Sequence, residues 1–271
     1  MTERETAYAK INLALHVRRR RSDGYHDLES LFAFAQNGDG LSADRADALS
    51  LTITGPFAEG LSVGEDNLVI RAGSALRTAF GVSSGAAIHL QKNLPVASGI
   101  GGGSADAAAA LRMLSRLWGI DASDPEVDAI ARSLGADVPA CLVSRTVQGR
   151  GRGDDLEAID LPELTGRPLL LVNPRIPLST APVFAGWDGV DHGPLNARYY
   201  RAGRNDLTPS ATVLVPEIGA LIETLRAQSG VTIARMSGSG ATCFALFESD
   251  AARDNAAVQF QDEWTLCTHV R

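Results

Sequence analysis

The chain has 271 residues, which is enough for one large or two modest domains, and 45% of them are hydrophobic and 21% charged, as in ordinary soluble globular proteins. No apolar run approaches the roughly 20 residues that a membrane span needs, and the polar start Met1–Glu5 is not a signal peptide. A net charge of −7 argues against broad nucleic-acid binding. Because Cys141, Cys243 and Cys267 lie far apart, we expect no disulfide scaffold and no structural zinc site, and we predict a cytoplasmic protein.

The first predicted element is a strand over residues 8–17. Its alternate residues from Ala9 to Leu15 are apolar and should face the core, whereas Lys10 and Asn12 share the other face. A lysine inside a strand without a partner is costly. The pattern alone leaves two alternatives, an exposed lysine on a solvated face or a buried lysine with a function.

Basic residues follow at 18–21, where we favour a solvated turn over a polyanion site. Strands are predicted over 28–35, 49–54 and 87–91, and an amphipathic helix over 67–80.

A glycine-rich segment leads directly into an alanine-rich helix. Glycines free the backbone to point successive N–H groups at one spot, and the helix places its positive dipole end there, which suits a phosphate. We take Ser104 as the N-cap, Asp106 as a first-turn acid and Gly119 as the stop. The segment consists of Pro95, Val96, Ala97, Ser98, Gly99, Ile100, Gly101, Gly102, Gly103, Ser104 and Ala105. It lacks the Lys-Ser/Thr of a Walker loop and the last glycine of a dinucleotide fingerprint; a flexible linker is the remaining alternative.

A helix over 124–134 begins with Pro125 at its first position and is followed by Asp137 among apolar neighbours. That aspartate is either a turn former or a partly buried carboxylate with a function. The composition changes at residues 144–166, so we predict an N-terminal domain over 1–150 and a C-terminal domain over 151–271.

The second half alternates strands and helices and predicts an α+β fold, an antiparallel sheet backed by helices. Residues 237–240 read Ser-Gly-Ser-Gly and join two strands, where a tight turn is the plain interpretation. The predicted strands are 168–172, 231–236, 241–247 and 264–270, and the helices 216–228 and 250–260.

These pieces together resemble the GHMP kinases, whose hallmark is a proline followed by a loop ending Gly-Gly-Gly-Ser before a helix, as at residues 95–104. The resemblance extends over essentially the whole chain. It implies an N-terminal ribosomal S5-like domain and a C-terminal ferredoxin-like domain, with the active site in the cleft between them. Within the family, the following motifs are typical of the branch that phosphorylates the 2-hydroxyl of 4-diphosphocytidyl-2-C-methyl-D-erythritol for isoprenoid synthesis: residues 9–13, 21–26, 135–139, 205–207 and 236–240.

The resemblance implies ATP, accompanied by Mg²⁺, as cofactor, and a small cytidine-linked alcohol as substrate. Asp137 is then the general base and Lys10 its partner, and the glycine-rich segment holds the ATP phosphates, with Ser104 as a candidate Mg²⁺ ligand. No acidic metal ligand can be assigned, and we expect a monomer or weak homodimer. The resemblance also implies that the adenine pocket is lined by Asn67 and Lys92. The residues that it implies for substrate binding are Asn12, Tyr25, His26, Phe184, Gly238, Ser239 and Gly240.

Three alternatives stay open on the sequence. A GHMP kinase acting on homoserine, mevalonate or a sugar has no cytosine to recognise, which the Gly-Tyr-His run at residues 24–26 argues against. A nucleotide-binding regulator should have lost Lys10 or Asp137. A decarboxylase of the same superfamily should show a different N-terminal motif.

Overall fold

The computed structural model describes residues 2–271. The chain folds into two compact units, neither of which is continuous in sequence. Two long strands, β1 (Glu3–Arg20) and β2 (His26–Ala46), pair with each other and supply residues to both units. The first unit comprises residues up to 9, 37–96 and 101–144, and the second 10–36, 97–100 and 145–271.

The first unit joins a small sheet to helices. Strand β4 (Gly85–Gln91) pairs antiparallel with the second half of β2 and parallel with β3 (Ser50–Thr54). The helices are α1 (Leu68–Phe80), α2 (Gly102–Trp118), α3 (Pro125–Leu134) and α4 (Val138–Val143). The long helix α2 is mostly buried because it is rich in alanine and leucine, and it packs against the other three.

In the second unit, the first half of β2 pairs with β5 (Val147–Arg150), which pairs with β6 (Asp155–Ala158). The same unit contains an antiparallel four-stranded sheet made of β7 (Pro168–Asn173), β8 (Val231–Met236), β9 (Cys243–Phe247) and β10 (Trp264–His269). The strand order in this sheet is β10-β7-β9-β8. The helices are α5 (Thr180–Ala185), a 3₁₀ helix (Ala197–Ala202), α6 (Thr208–Leu214), α7 (Pro216–Arg226) and α8 (Asp250–Ala257).

Local signals predicted most of these elements correctly. Asn67 caps α1 through the N–H of Val69, and Asp124 caps α3, whose first residue is Pro125. Gly119 ends α2 in the left-handed conformation. The mixture of helices and antiparallel strands confirms the α+β class.

Two predictions about residues 95–106 were wrong. Helix α2 begins at Gly102 and its N-cap is Gly101 in the left-handed conformation, so Ser104 already lies inside the helix and is not the N-cap. Asp106 is consequently beyond the first turn, where its charge gains little from the dipole. Its partner is instead the buried Lys92, whose Nζ is 2.6 Å from Asp106 Oδ2.

The strand predicted to end at residue 35 continues to residue 46 through the turn-like run Asn37-Gly38-Asp39-Gly40. A Cβ at Gly38 would collide with the backbone of Ala7, so glycine is required by the close approach of β1. Among residues 2–271, none of the helices combines the length and apolar character of a membrane span. The boundary near residue 150 stays a prediction.

Candidate active site

Lys10 is buried in the second unit, with 3% of its surface exposed, which excludes the solvated-face alternative. Its Nζ donates to Asn12 Oδ1 at 3.0 Å and lies 5.2 Å from the centre of the Phe32 ring. The Asn12 amide in turn donates to Ser30 Oγ at 2.7 Å, and Ser30 donates to the carbonyl of Ala14 at 2.9 Å. Asn12 therefore orients the Lys10 ammonium through a chain of bonds between β1 and β2.

Lysine is almost absent from this chain. Its only lysines are Lys10 and Lys92, and all other members of the Lys and Arg set are arginines. Both lysines are buried, although lysine is ordinarily a surface residue. The compact ammonium with three donors therefore occurs at two interior positions, and its geometry differs from that of a planar guanidinium.

Residues 98–100 of the glycine-rich segment are fixed to the second unit through three consecutive carbonyls. Ser98 O accepts from Thr242 N at 3.1 Å, Gly99 O from Ser237 Oγ at 2.9 Å, and Ile100 O from Lys10 N at 3.0 Å. This regular anchoring excludes a flexible linker for these residues.

The Ser-Gly-Ser-Gly turn at 237–240 packs backbone to backbone against Gly99. Gly99 and Gly238 both have positive φ, +77° and +55°, and a Cβ on Gly99 would lie 2.7 Å from Gly240 O. The turn is itself held by Asn205, whose amide donates to the carbonyls of Met236 and Gly238 at 2.9 and 2.8 Å. It is thus more than the plain turn that its composition suggests.

Replacing Gly99 by Ala should lower the free energy of unfolding by more than replacing Gly166 by Ala. Both residues have φ of +77°, so both substitutions incur the left-handed penalty of about 1–2 kcal/mol. Only Gly99 faces backbone, whereas nothing lies within 4 Å of the Cβ position on Gly166. We expect an additional loss of about 1–3 kcal/mol at Gly99 from overpacking, measured by urea unfolding; equal losses in the two variants would contradict the close approach.

The N-terminus of α2 in the first unit has the properties of an anion site. Its N-cap, Gly101, offers no side-chain acceptor, so capping does not satisfy the first-turn N–H groups. Gly102 and Gly103 carry no side chains there, and Gly103 is exposed. Exposed N–H groups at a helix dipole end, without side chains in front of them, fit a phosphate.

The structure gives the side chains of Lys92 and Asn67, both in the first unit, internal partners. Lys92 Nζ donates to carboxylate oxygens of Asp39 and Asp106, each at 2.6 Å. The Asn67 amide caps α1 and donates to Ser62 O at 2.7 Å. That Lys92 and Asn67 lie beside adenine stays a prediction. Asp39 was not identified from the sequence.

Asp137, also in the first unit, stands at the N-cap position of the short helix α4 and is partly exposed. Its carboxylate makes no capping hydrogen bond to that helix. That Asp137 is a functional carboxylate rather than a turn former stays a prediction.

His26 and Phe184 come together in the second unit. Their ring centres are 5.0 Å apart, and Trp187, which sequence reasoning missed, approaches His26 edge-on at 5.7 Å. Burial, and to a smaller extent the charge of Arg20, lowers the pKa of His26, so its ring is neutral at pH 7 and offers one donor and one acceptor. Tyr25 is 55% exposed, with the guanidinium of Arg152 5.5 Å from its ring centre.

Residues 2–271 contain no group of three or more His, Cys, Asp or Glu side chains that could hold a metal ion. Mg²⁺ bound with a nucleotide usually needs only one or two protein ligands, because phosphates and waters fill the other positions. Mg²⁺ as the companion of the nucleotide stays a prediction.

Two family patterns match the chain. That of the GHMP kinases N terminal domain matches residues 67–145, and that of the GHMP kinases C terminal matches residues 191–266. The first match includes the whole glycine-rich segment and Asp137.

Individual relatives agree. The 4-diphosphocytidyl-2-C-methyl-D-erythritol kinase of Rhizorhabdus wittichii is 56% identical, covering 98% of this chain and 94% of its own. The enzyme of that name from Novosphingobium aromaticivorans is 53% identical, covering 97% and 91%.

Solved structures show the same fold. A crystal structure of 4-(cytidine 5'-diphospho)-2C-methyl-D-erythritol kinase aligns with a TM-score of 0.80 at 33% identity, covering 98% of this chain and 99% of that one. The homoserine kinase of Cytophaga hutchinsonii, at 18% identity and a TM-score of 0.75 over 99% and 95% of the chains, shares the fold.

Proposed function

The chain belongs to the GHMP kinases, and from this premise we propose that it is the ATP-dependent kinase that phosphorylates the 2-hydroxyl of 4-diphosphocytidyl-2-C-methyl-D-erythritol. The products are the 2-phosphate and ADP, and the reaction belongs to non-mevalonate isoprenoid precursor synthesis. Relatives of that name at 56% and 53% identity support the substrate. Binding of ATP is supported by one observation: the anchored glycine-rich segment leads into a helix that has no side-chain cap.

When bound, ATP supplies the phosphoryl group that is transferred. Its phosphates fit the first turn of α2, where the glycine N-cap provides no side-chain hydrogen bond and neither Gly102 nor Gly103 carries a side chain. Residues 95–105 hold the phosphates through the backbone, as expected for a reaction that depends mainly on positioning and electrostatics. We propose that Mg²⁺ accompanies the nucleotide, with Ser104 as its protein ligand.

The acceptor is a tertiary hydroxyl, which is a poor nucleophile until it loses its proton. We propose that Asp137 takes this proton. Lys10 favours the ionised carboxylate of Asp137 and offsets negative charge that develops during transfer. Asn12 keeps the ammonium of Lys10 oriented, which fits its bond of 3.0 Å to Nζ.

The cytosine ring is recognised by His26 between aromatic neighbours. A neutral imidazole matches the donor and acceptor groups on the edge of cytosine, and Tyr25 and Phe184 offer flat faces for stacking. The turn at Gly238, Ser239 and Gly240 approaches the diphosphate. A cytoplasmic monomer or weak homodimer that binds no nucleic acid completes the proposal.

The direct test is ADP release by the purified chain with Mg-ATP and one acceptor at a time. The acceptors are the cytidine compound, homoserine, mevalonate and galactose. We expect turnover with the cytidine compound alone. Turnover with another alcohol alone would retain the kinase and refute the cytosine pocket, and ATP binding without any turnover would favour a regulator.

Replacing His26 by Ala should raise KM for the cytidine substrate about tenfold, because a hydrogen bond worth roughly 1–1.5 kcal/mol is lost. KM for ATP should not change. His269→Ala is the matched control, since that ring bonds Asp250 on the surface of the same unit. An unchanged KM for the cytidine substrate would remove His26 from the pocket.

A further inference from the structure

Two carboxylates and one ammonium are buried together in the first unit. Asp39, Lys92 and Asp106, here called the buried triad, are each at most 4% exposed. Lys92 Nζ is 2.6 Å from an oxygen of each aspartate. Nothing in the proposed chemistry uses either aspartate.

The buried triad contacts the chain on both sides of the glycine-rich segment. The second oxygen of Asp39 accepts from the N–H groups of Asn93 and Leu94 at 2.6 and 2.8 Å, directly before Pro95. At the other side, Asp106 belongs to α2, and the Cβ position of Gly102 is 3.1 Å from Lys92 Nζ. One ammonium thus links the entry of the segment to the helix that follows it.

Stability does not explain this arrangement. Buried ion pairs are costly to desolvate, and apolar side chains of similar volume usually stabilise a fold as well or better. Here two acids share one base, and Asp106 Oδ1 is buried without a hydrogen-bond partner. Burial raises the pKa of Asp106 to about 7; Lys92 opposes this and the charge of Asp39 adds to it. Ionising Asp106 therefore opposes folding, so its carboxylate calls for another role.

We propose that Asp39, Lys92 and Asp106 are positioning residues that fix the two ends of the glycine-rich segment, so that its N–H groups meet the ATP phosphates in a preset arrangement. The proposal rests on the ATP binding proposed above and deepens it. A segment rich in glycine loses much conformational entropy when it is ordered. Anchoring both ends in the folded protein removes part of that loss from the binding step.

The test replaces Asp106 by Asn, which keeps the shape and one acceptor but removes the charge. We expect the dissociation constant of adenosine 5′-(β,γ-imido)triphosphate, measured with Mg²⁺ by calorimetry on the full chain, to rise about tenfold. KM for the cytidine substrate should change less than twofold. Glu5→Gln is the matched control, because it removes ion pairs to Arg112 and Arg116 on the same helix, away from the glycine-rich segment; it should leave nucleotide affinity unchanged.

The pH dependence separates positioning from a general loss of stability. Lys92 and Asp39 are the titratable groups that act on Asp106. Below neutral pH the wild-type carboxyl is protonated and resembles the asparagine variant, so the ratio of the two dissociation constants should approach one. Above about pH 7 the ratio should grow. Because both dissociation constants are measured at the same pH, protonation of the nucleotide itself affects them equally and does not change their ratio.

A second variant keeps the proposal open to refutation if Asp106→Asn does not fold. Asp39→Asn acts on the other end of the segment and should weaken the nucleotide as well. Nucleotide affinity within twofold of wild type in whichever of the two variants folds overturns the proposal. Nucleotide binding by the wild-type chain without phosphorylation of the cytidine compound would refute the proposed acceptor alone, because the affinities still test the buried triad.

Discussion

Replacing Asp137 by Asn is expected to abolish phosphoryl transfer while ATP still binds. The amide has the same shape as the carboxylate but cannot take the proton of the acceptor hydroxyl. General bases contribute about 10²–10⁴ in rate, so kcat should fall at least about a hundredfold and KM for ATP should change little. Single-turnover phosphorylation of the cytidine substrate measures the chemical step directly.

The matched control for this prediction is Asp128→Asn. Asp128 is an exposed acid on α3 in the same unit, paired with Arg132 at 2.7 Å. Surface pairs of this kind contribute about 0–1 kcal/mol, so kcat should be that of wild type. If Asp137→Asn keeps more than a tenth of the wild-type rate, the assignment of the base is refuted.

Where the sequence predicted the fold well, the information was local. The Asn67 cap, Pro125 at the start of α3 and Gly119 after α2 each act within a few residues. Local information was misleading where the chain responds to distant contacts. Gly38 resembles a turn residue but is required by the backbone of Ala7, 31 positions earlier, and β2 continues beyond the predicted strand end at residue 35.

Ser104 illustrates the other kind of error. Serine is a strong N-cap, and in most sequences it would begin the helix. Here Gly101 adopts the left-handed conformation and the helix starts directly after it, which places Ser104 in the helical first turn. A glycine cap leaves the first-turn N–H groups without a side-chain acceptor. The helix therefore lacks the stability that a serine cap would add, and its N–H groups suit an anion.

The candidate site divides in the same way. Motifs identified Lys10, Asp137, His26 and the glycine-rich segment as residue types suited to the chemistry. The residues that position neighbouring groups were not found in this way. Asn205 holds the turn at residues 237–240 and Asp39 holds Lys92, and these residues are 33 and 53 positions from their partners. Pairings at such separations come from tertiary packing, which periodicity and spacing do not encode.

Replacing Lys10 by Met is expected to reduce kcat about 10²–10³-fold, the loss that removal of one electrostatic contact to the transition state commonly produces. Methionine has nearly the length of lysine, and a thioether also packs favourably against an aromatic ring, so the space beside Phe32 stays filled. Stability should change much less. The desolvation cost of a buried ammonium disappears, but so does its hydrogen bond to the buried Asn12 Oδ1. We therefore expect the melting temperature to change little while activity falls.

Arg253→Met provides the matched comparison for a buried cation without a catalytic role. Arg253 lies in the second unit, is buried, and bonds Asp250, Asp254 and the carbonyl of Thr268. Its removal takes away the bonds to two aspartates and to that buried carbonyl, so the melting temperature should fall while kcat is retained. If Lys10→Met behaves in the same way, with lowered stability and retained kcat, then Lys10 is structural. If Lys10→Met is stable and inactive, the ammonium takes part in the chemistry. Lys10→Arg should then fail to restore the rate, because a planar guanidinium cannot occupy the position in which Asn12 holds the ammonium.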